Sequence, residues 1–389
     1  MSYQARVTAH WGSGAVTLRV EAESLVGSTP LDAWELPYSD ITSLTWADYL
    51  VTLASARGVV SIDRLGQPGQ AFFDALLAAY NAKVARALFA TGTIRQQAEG
   101  FVQVKEGSFA ASARGDIAIL DDAVLFRPPS VLARRIPLAF VSSLVTGEYE
   151  TTLGLVDGSQ YTLSRLGRRL RPMTDAIAAL LRGLHETSRE RVRDLDPTLS
   201  AAAGDEAARL LLPGRAASLS SLAAVAPSLV PALRARAESA GRAASFDLLA
   251  EVSGLDRMCV GLGTPLDPSD GPPTVWMMAA SRADAPAGGK SPACLEMALG
   301  EEDASATFRY EFPGPWEEFW PRLNRAIEAI EFRREVISLP EEALFLPQHS
   351  DAAMSVQRTW PLRFVREAFA GRIIHSEVWG EKATAFLAG

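Results

Sequence analysis

The sequence predicts an α+β protein made of tandem small antiparallel β-barrels or sandwiches, each closed by a C-terminal helix, plus a helical spacer. A block of about 100 residues occurs twice in register along the 389-residue chain. Each block contains short segments of alternating apolar residues, followed by a longer segment with helical apolar spacing. Alternation is typical of half-buried strands, and helical spacing is typical of an amphipathic helix.

The internal repeat is visible as residue matches at a constant offset of 100 positions. The matched pairs include Pro37 with Pro137, Tyr49 with Tyr149, and Gly58 with Gly158. One inserted residue then places Arg64-Leu65-Gly66 opposite Arg165-Leu166-Gly167. Because the matches continue through both blocks with a single slip at a loop, we interpret the blocks as two copies of one module.

Each copy begins with predicted strands. In the first copy these are Ala15–Val20, Ile41–Trp46, Tyr49–Ser55 and Val59–Asp63. In the second copy they are Asp116–Leu120, Ala123–Phe126, Val141–Thr146, Thr151–Leu155 and Gln160–Ser164. Turn-forming residues, such as Asp121-Asp122 and Asp157-Gly158, separate neighbouring strands and predict hairpins.

Each copy ends in a predicted helix with a single apolar face. The first face consists of Phe72, Phe73, Leu76, Leu77, Tyr80 and Val84. The second consists of Met173, Ile177, Leu180, Leu181 and Leu184. Because such a face must be buried, we expect each helix to lie across the mouth of the sheet that precedes it.

The chain divides into five predicted segments. They are module 1 at 1–90, module 2 at 98–188, a linker and Ala-rich helical spacer at 189–245, a diverged third module at 246–338, and a C-terminal tail with a helix at 339–389. Pro213, Pro227 and Pro231 cut the spacer into short helices. The apolar side of the spacer either packs on its neighbours or forms a helical hairpin for dimerisation.

The third module is inferred from the order of its elements. Strand-like segments return from Phe246–Val252 onward, and a helix is predicted at about Pro315–Phe332. Neither the proline and Ser-Leu pattern nor the Arg-Leu-Gly triplet of the first two modules occurs here. In the tail, the pattern predicts a helix around Pro361–Ala370 and a strand at Arg372–Trp379.

The layout of the first two modules resembles the pleckstrin-homology-like (PH-like) superfamily, including its GRAM-type bacterial members. The resemblance covers about residues 1–90 and 98–188, and it rests on the hairpins, the segment from Ile136-Pro137 to Ser143-Leu144, and the closing helix. It implies a small curved antiparallel barrel or sandwich. It also implies a binding role, because members of this superfamily bind phosphoinositides, peptides or partner proteins, although the fold alone selects none of these.

Composition and charge argue against several other classes. Apolar residues make up 48% of the chain and charged residues 22%, which predicts buried cores, and the net charge of −8 disfavours nucleic-acid binding. The four histidines and the cysteines Cys259 and Cys294 show no metal-ligand spacing, so no metal or other cofactor is predicted. The chain has no basic-then-apolar leader and no apolar run of membrane-spanning length, so a cytoplasmic location is predicted.

An arginine cluster in module 2 is the candidate binding site. Its members are Arg165, Arg168, Arg169 and Arg171 between the last strand and the helix, with Arg134 and Arg135 on another strand of the module. Cations are unfavourable at a helix N-terminus, so an acidic partner such as a phosphate group or a carboxylate-rich peptide would offset them. Module 1 shares only the arginine that matches Arg165, Arg64, and has Gln67, Gly69 and Gln70 in the rest of the matching stretch.

Two alternatives need no partner. The arginines could form a solvated loop paired with Glu148 and Glu150, or they could contact the acidic third segment.

The absence of catalytic motifs predicts a non-catalytic adaptor or scaffold that binds a partner protein. One alternative is peripheral membrane or phosphoinositide binding through the same arginines. The net charge argues against it, and so do the first hairpins around His10–Gly14 and Lys105–Arg114, which are poor in basic residues. Another alternative is an enzyme with a site in segment 246–338, near Trp276, Cys259 and Cys294. The sequence leaves the oligomeric state open.

Overall fold

The structure is a computed structural model that describes residues 2–263, 275–283, 288–298 and 306–389. Three antiparallel sheets and twelve α-helices lie within these ranges. The predicted α+β class is therefore confirmed.

Module 1 contains a curled seven-stranded antiparallel sheet followed by a long helix. Its elements are β1 (Ser2–Ala9), β2 (Gly12–Val20), β3 (Ser24–Ser28), β4 (Ala33–Pro37), β5 (Ile41–Ala47), β6 (Leu50–Ser55), β7 (Gly58–Asp63) and α1 (Gly69–Ala87). The strand order is β4-β3-β2-β1-β7-β6-β5, so β4 and β5 form the two edges. The side chains of Phe72, Leu76 and Tyr80 on α1 are buried in the core of this sheet, as the helical spacing predicts.

Module 2 repeats this architecture. Its elements are β8 (Gln96–Glu106), β9 (Phe109–Ile119), β10 (Ala123–Arg127), β11 (Arg134–Pro137), β12 (Val141–Thr146), β13 (Glu150–Leu155), β14 (Gln160–Ser164) and α2 (Leu170–Leu195). The strand order, β11-β10-β9-β8-β14-β13-β12, is that of module 1 shifted by seven strands. The edge strand β12 is therefore the counterpart of β5.

The repeat extends to backbone conformation. The φ angle is +56° at both Arg64 and Arg165, and it is +65° at Gly66 and +53° at Gly167. In each module a 3₁₀ turn follows the matched proline, and a bulge interrupts the pairing at the start of the next strand. Because matching residues adopt the same unusual geometry, the tandem repeat predicted from the sequence is confirmed.

The remaining chain forms a mixed helical region around a third sheet. Its elements are α3 (Ala201–Leu210), β15 (Ala217–Ser218), α4 (Leu219–Val225), α5 (Leu229–Ser239), α6 (Ala243–Ser253), β16 (Met258–Leu262), β17 (Val275–Ala280), β18 (Ser291–Ala298), β19 (Ala306–Phe312), α7 (Trp316–Glu328), α8 (Glu335–Ser338), α9 (Glu341–Leu344), α10 (Ser350–Arg358), α11 (Trp360–Ala368), β20 (Phe369–Ile374) and α12 (Trp379–Ala388).

The strand predicted at Phe246–Val252 is wrong, because these residues lie within helix α6. The side chains buried on this helix include Phe246, Leu249 and Ser253, which recur at helical rather than alternate spacing. A short apolar run does not distinguish the two periodicities, and here the three-dimensional packing selects the helix.

The third sheet differs in topology from the first two. Its strand order, β15-β16-β17-β18-β19-β20, runs sequentially from one edge to the other. Both edge strands come from outside the predicted third module at 246–338. Residues 264–274, 284–287 and 299–305 of that segment lie outside the described residues.

The third region packs against both modules. On module 1, the Arg358 guanidinium of α10 donates a hydrogen bond to the Tyr80 hydroxyl over 2.8 Å, and Met354 joins the module's apolar core. On module 2, the contact is made by charged side chains of α7. Each module therefore contacts the third region as well as the other module.

Candidate functional site

The candidate site is built on the turn between β14 and helix α2. Leu166 is buried and anchors the turn, while Arg165 and Gly167 on either side adopt positive φ angles. A short 3₁₀ segment, Gly167–Arg169, leads directly into α2. This geometry places the side chains of Arg168 and Arg169 in solvent at the helix N-terminus.

The exposed arginines of this turn have few acidic partners. No carboxylate in the described chain forms an ion pair within 4.0 Å of Arg165, Arg168 or Arg169. Arg171 lies 3.9 Å from Asp175, but both side chains are largely exposed, so the pair stabilises the helix little. The first turn of α2 contains no acidic residue, and its dipole repels these cations. Positive charge is therefore left available at this surface.

An open cleft of about 390 Å³ lies beside these side chains. One wall is the β12–β13 turn, which contributes Thr146, Gly147 and Glu148. The opposite wall is the start of α2, which contributes Arg168, Arg171, Leu170, Thr174, Asp175 and the preceding Gly167. The cleft thus offers guanidinium donors and small polar groups, together with the two carboxylates of Glu148 and Asp175.

Two exposed apolar side chains belong to the hairpin that contributes to this cleft. Tyr149 is 74% exposed and Val145 is 63% exposed, both on the hairpin whose turn forms the first wall. The Tyr149 hydroxyl donates a hydrogen bond of 2.5 Å to Glu148, which raises the pKa of the phenol. Exposed aromatic groups beside arginines are a frequent composition of protein-binding surfaces.

Arg165 and Arg169 are exposed but do not line the cleft. The Arg165 guanidinium lies over the Phe101 ring, 5.0 Å from its centroid, in a cation–π contact. Arg169 is the residue that precedes the first turn of α2 and is exposed. The structure therefore brings two of the six candidate arginines, Arg168 and Arg171, together in one cleft.

Arg134 is separate from this surface and lies inside module 2. Its guanidinium is buried and donates to both carboxylate oxygens of Glu106 over 3.0–3.1 Å. It also donates to the backbone carbonyls of Val131 and Ala133. The residue thus stabilises the chain internally and presents no free donor group to the arginine surface.

Arg135 connects module 2 to the third region. It pairs with Asp122 of its own module and with Glu328 of α7, both over 2.6 Å. Arg135 therefore makes the contact with the acidic third segment that the sequence analysis gave as an alternative to partner binding.

The buried Arg134–Glu106 pair is part of a larger network, which the sequence did not indicate and which includes Arg325 of α7. Arg325 donates to Asp157 over 2.6 Å, to Ser159 over 3.0 Å and to the Tyr161 hydroxyl over 2.5 Å. Tyr161 in turn donates to Glu106 over 2.6 Å. Since Arg325 lies more than 160 positions from these partners, no sequence spacing marks the network.

Burial and charge oppose each other at Asp157. Burial alone would raise the pKa of its carboxyl, but the charge of Arg325 and the hydrogen bonds from Ser159 and Arg325 outweigh this, so the pKa is lowered. Burial raises the pKa of Tyr161, and its phenol stays neutral. The network therefore holds a charged pair and a neutral donor between module 2 and α7.

The open edge of module 2 is a further element of the site. In module 1, the N–H of Leu44 on β5 donates to the Pro129 carbonyl over 2.8 Å, and the Val131 N–H donates to the Thr42 carbonyl over 3.0 Å. Within the described residues, no segment makes the corresponding bonds to the outer edge of β12. A second cleft, of about 420 Å³, lies along β12 and the middle of α2.

The residues of the enzyme alternative are buried. Cys259 and Cys294 are inaccessible, and burial raises the pKa of both thiols. Nearby, the buried carboxylate of Glu296 contacts His375 and Arg242, each over 3.1 Å. These contacts connect α6, β18 and the segment after β20. Among the described residues, no group of three or more His, Cys, Asp or Glu side chains is arranged to hold a metal ion.

Comparisons with known proteins give no identification: no family model matches the chain, and the comparison with curated proteins found no match. In the part of the chain that is described, no helix is long and apolar enough to cross a membrane.

Proposed function

We propose that the protein is a non-catalytic scaffold of PH-like modules that binds an acidic segment of a partner protein at module 2. The observation that carries this proposal is the cleft beside Arg168 and Arg171, together with the lack of an ion-pair partner for Arg168 and Arg169 in the described chain. Guanidinium groups bind carboxylate and phosphate oxygens through short charge-assisted hydrogen bonds. An acidic segment would also relieve their repulsion with the N-terminus of α2.

The charge distribution favours a local and specific interaction. The whole chain carries a net charge of −8, so an acidic partner gains no overall attraction and depends on local groups of arginines such as this one. Module 1 has the same backbone at the corresponding turn but carries Gln67 and Gln70 there. The fold therefore does not require the arginines, which supports a binding role for them.

A partner-capture experiment tests this function. The full chain and the double variant Arg168→Glu/Arg169→Glu are immobilised, and retained proteins are identified at low and moderate salt. The proposal expects a stoichiometric partner with the wild type and its loss with the double variant. Arg182→Glu/Lys105→Glu is the control, because it makes the same charge change at exposed positions of module 2 away from the cleft. Equal capture by all three proteins contradicts the proposal.

The second candidate function is binding to an anionic membrane. Exposure of Tyr149 and Val145, on the hairpin whose turn lines the arginine cleft, favours it, because aromatic groups and cations together suit the interface of a charged bilayer. Vesicle sedimentation distinguishes it from protein binding: salt-sensitive sedimentation with phosphatidylserine vesicles, lost in the Arg168→Glu/Arg169→Glu variant, would support the membrane function. Sedimentation no greater than with neutral vesicles would exclude it.

A further inference from the structure

The free edge of module 2 suggests how the acidic segment binds. We infer that the partner segment adds to β12 as an antiparallel strand, with its acidic residues on the N-terminal side of the paired residues. This inference rests on the proposed function and specifies the form and direction of its ligand. It is carried by the comparison of two edge strands within the same chain.

Module 1 contains an internal example of strand addition. The segment Pro129–Val131, from the β10–β11 loop of module 2, lies antiparallel to β5 and exchanges the two backbone hydrogen bonds with Leu44 and Thr42. The edge of β5 is thereby covered, and its residues Ile41 and Leu44 are fully buried. The chain itself shows that this edge can accept an extended, proline-containing segment.

The corresponding strand of module 2 is uncovered. Val141 and Leu144 match Ile41 and Leu44 in the repeat, but they are only half-buried. By the same register, the N–H of Leu144 and the carbonyl of Ser142 point outward, and no group in the described residues bonds to them. An unpaired edge of this kind is a template for an additional strand.

The groove beside β12 supplies contacts for side chains. The cleft of about 420 Å³ is bounded by Val141 and Leu144 on the strand side and by Leu181, His185 and Leu212 on the helical side. Successive residues of a strand point to opposite faces, so alternate side chains of an added segment would enter this groove. Val141, Leu144, Leu181 and Leu212 provide apolar surface that suits aliphatic residues of the ligand, and Ser142, Ser143, Arg209 and Arg215 complete the lining with polar and basic groups.

The direction of the segment follows from antiparallel pairing. On β5, the residue opposite Leu44 precedes the residue opposite Thr42, so the segment runs from the β5–β6 turn towards the start of β5. The same direction on β12 places the N-terminal residues of the ligand near Thr146 and Gly147. These residues belong to the arginine-lined cleft. Acidic residues two or three positions before the residue that pairs with Leu144 would therefore reach Arg168 and Arg171, since each residue advances about 3.4 Å.

Synthetic peptides test both pairing and direction with the full chain. The first peptide has two glutamates followed by the sequence of residues 128–132, and the second has the same residues with the glutamates at the C-terminal end. In the third, the valine of the first peptide is N-methylated, which removes the N–H expected to bond to Ser142. We expect the first peptide to bind about tenfold more tightly than the second, and about fivefold more tightly than the third.

Amide hydrogen exchange at Leu144 reports strand addition directly. We expect the first peptide to protect the Leu144 amide and to leave the Leu44 amide, which is already bonded, unchanged. Arginine-dependent binding without protection of Leu144 would overturn strand addition and leave the proposed function standing. Equal binding of the first two peptides would overturn the direction. Protection of Leu144 that rises with protein concentration in the absence of peptide would assign the edge to a second copy of the chain and overturn the assignment to a partner.

If none of the peptides binds, strand addition is overturned. The proposed function fails as well only if partner capture is also insensitive to the Arg168→Glu/Arg169→Glu change.

Discussion

The backbone N–H of Leu44 is bonded to the carbonyl oxygen of Pro129 over 2.8 Å, which joins the edge of module 1 to a loop of module 2. The contact uses the same edge that module 2 leaves uncovered. The two modules share one fold, but a neighbouring segment bonds to the edge of β5 and none in the described residues bonds to the edge of β12. The difference arises because the β10–β11 loop of module 2 packs on module 1, which leaves β12 as the uncovered edge.

Amide exchange in the free chain is expected to differ between the two copies. The Leu44 amide should exchange at least about tenfold more slowly than that of its counterpart Leu144, because only the former is bonded and buried. Site-resolved exchange monitored by NMR or mass spectrometry measures both rates in one sample. Equal rates would show that β12 is covered in solution.

Replacing Arg325 should strongly destabilise the protein. Arg325→Met leaves the Asp157 carboxylate buried without its cation, a change that typically costs about 3–5 kcal/mol of unfolding free energy. Arg114→Met is the matched control, because Arg114 pairs with Glu99 over 2.8 Å but on an exposed surface. Its expected cost is below about 1 kcal/mol. Urea unfolding measures both, and a similar small loss for the two variants would contradict a stabilising role for the network.

The free energy of unfolding should depend on pH through the carboxyl group of Asp157. Its pKa is lowered in the folded chain, so its contribution is fully present above the unfolded carboxyl pKa of about 4 and is lost as the pH falls through the folded pKa. We expect the difference in unfolding free energy between the wild type and Asp157→Asn to shrink over this acidic range. Unfolding curves between neutral and acidic pH measure the difference. A difference that stays constant down to low pH would show that ionised Asp157 does not contribute.

The two cysteines should be inert in the native protein. Cys259 and Cys294 are fully buried, so a reagent cannot reach either sulfur. Burial also raises the pKa of both thiols, which disfavours the reactive thiolate form. A colorimetric thiol reagent should label neither cysteine in the folded chain and both after denaturation. Rapid labelling of Cys259 or Cys294 under native conditions would renew interest in the enzyme alternative.

The sequence predicts those strands and helices that are marked by a local pattern of apolar residues. The strands from Val141 to Ser164 and the helix that carries Met173 and Ile177 follow directly from apolar spacing. The alternation in β8 is harder to detect, because its inward positions include Gly100 and Glu106 as well as valines. Glu106 can be buried there only because Arg134, 28 positions away, neutralises it. Such compensation between distant residues is invisible in a local pattern.

The site was only partly predictable for the same reason. The arginine cluster is contiguous in sequence, so its presence at the start of α2 could be foreseen. The burial of Arg134 and the pairing of Arg135 with Glu328 depend on the docking of α7. The uncovered edge of β12 depends on which neighbour reaches it. These properties belong to the assembled chain and not to any one segment.

The most direct test of the central claim is a selection of random peptides on the immobilised full chain. Binding to the wild type is compared with binding to Arg168→Glu/Arg169→Glu and to the control Arg182→Glu/Lys105→Glu. We expect the wild type and the control to enrich extended peptides with acidic residues before an aliphatic segment, and the arginine variant to lose them. Enrichment of the same peptides by all three proteins, or of no acidic peptide by any of them, would contradict the claim.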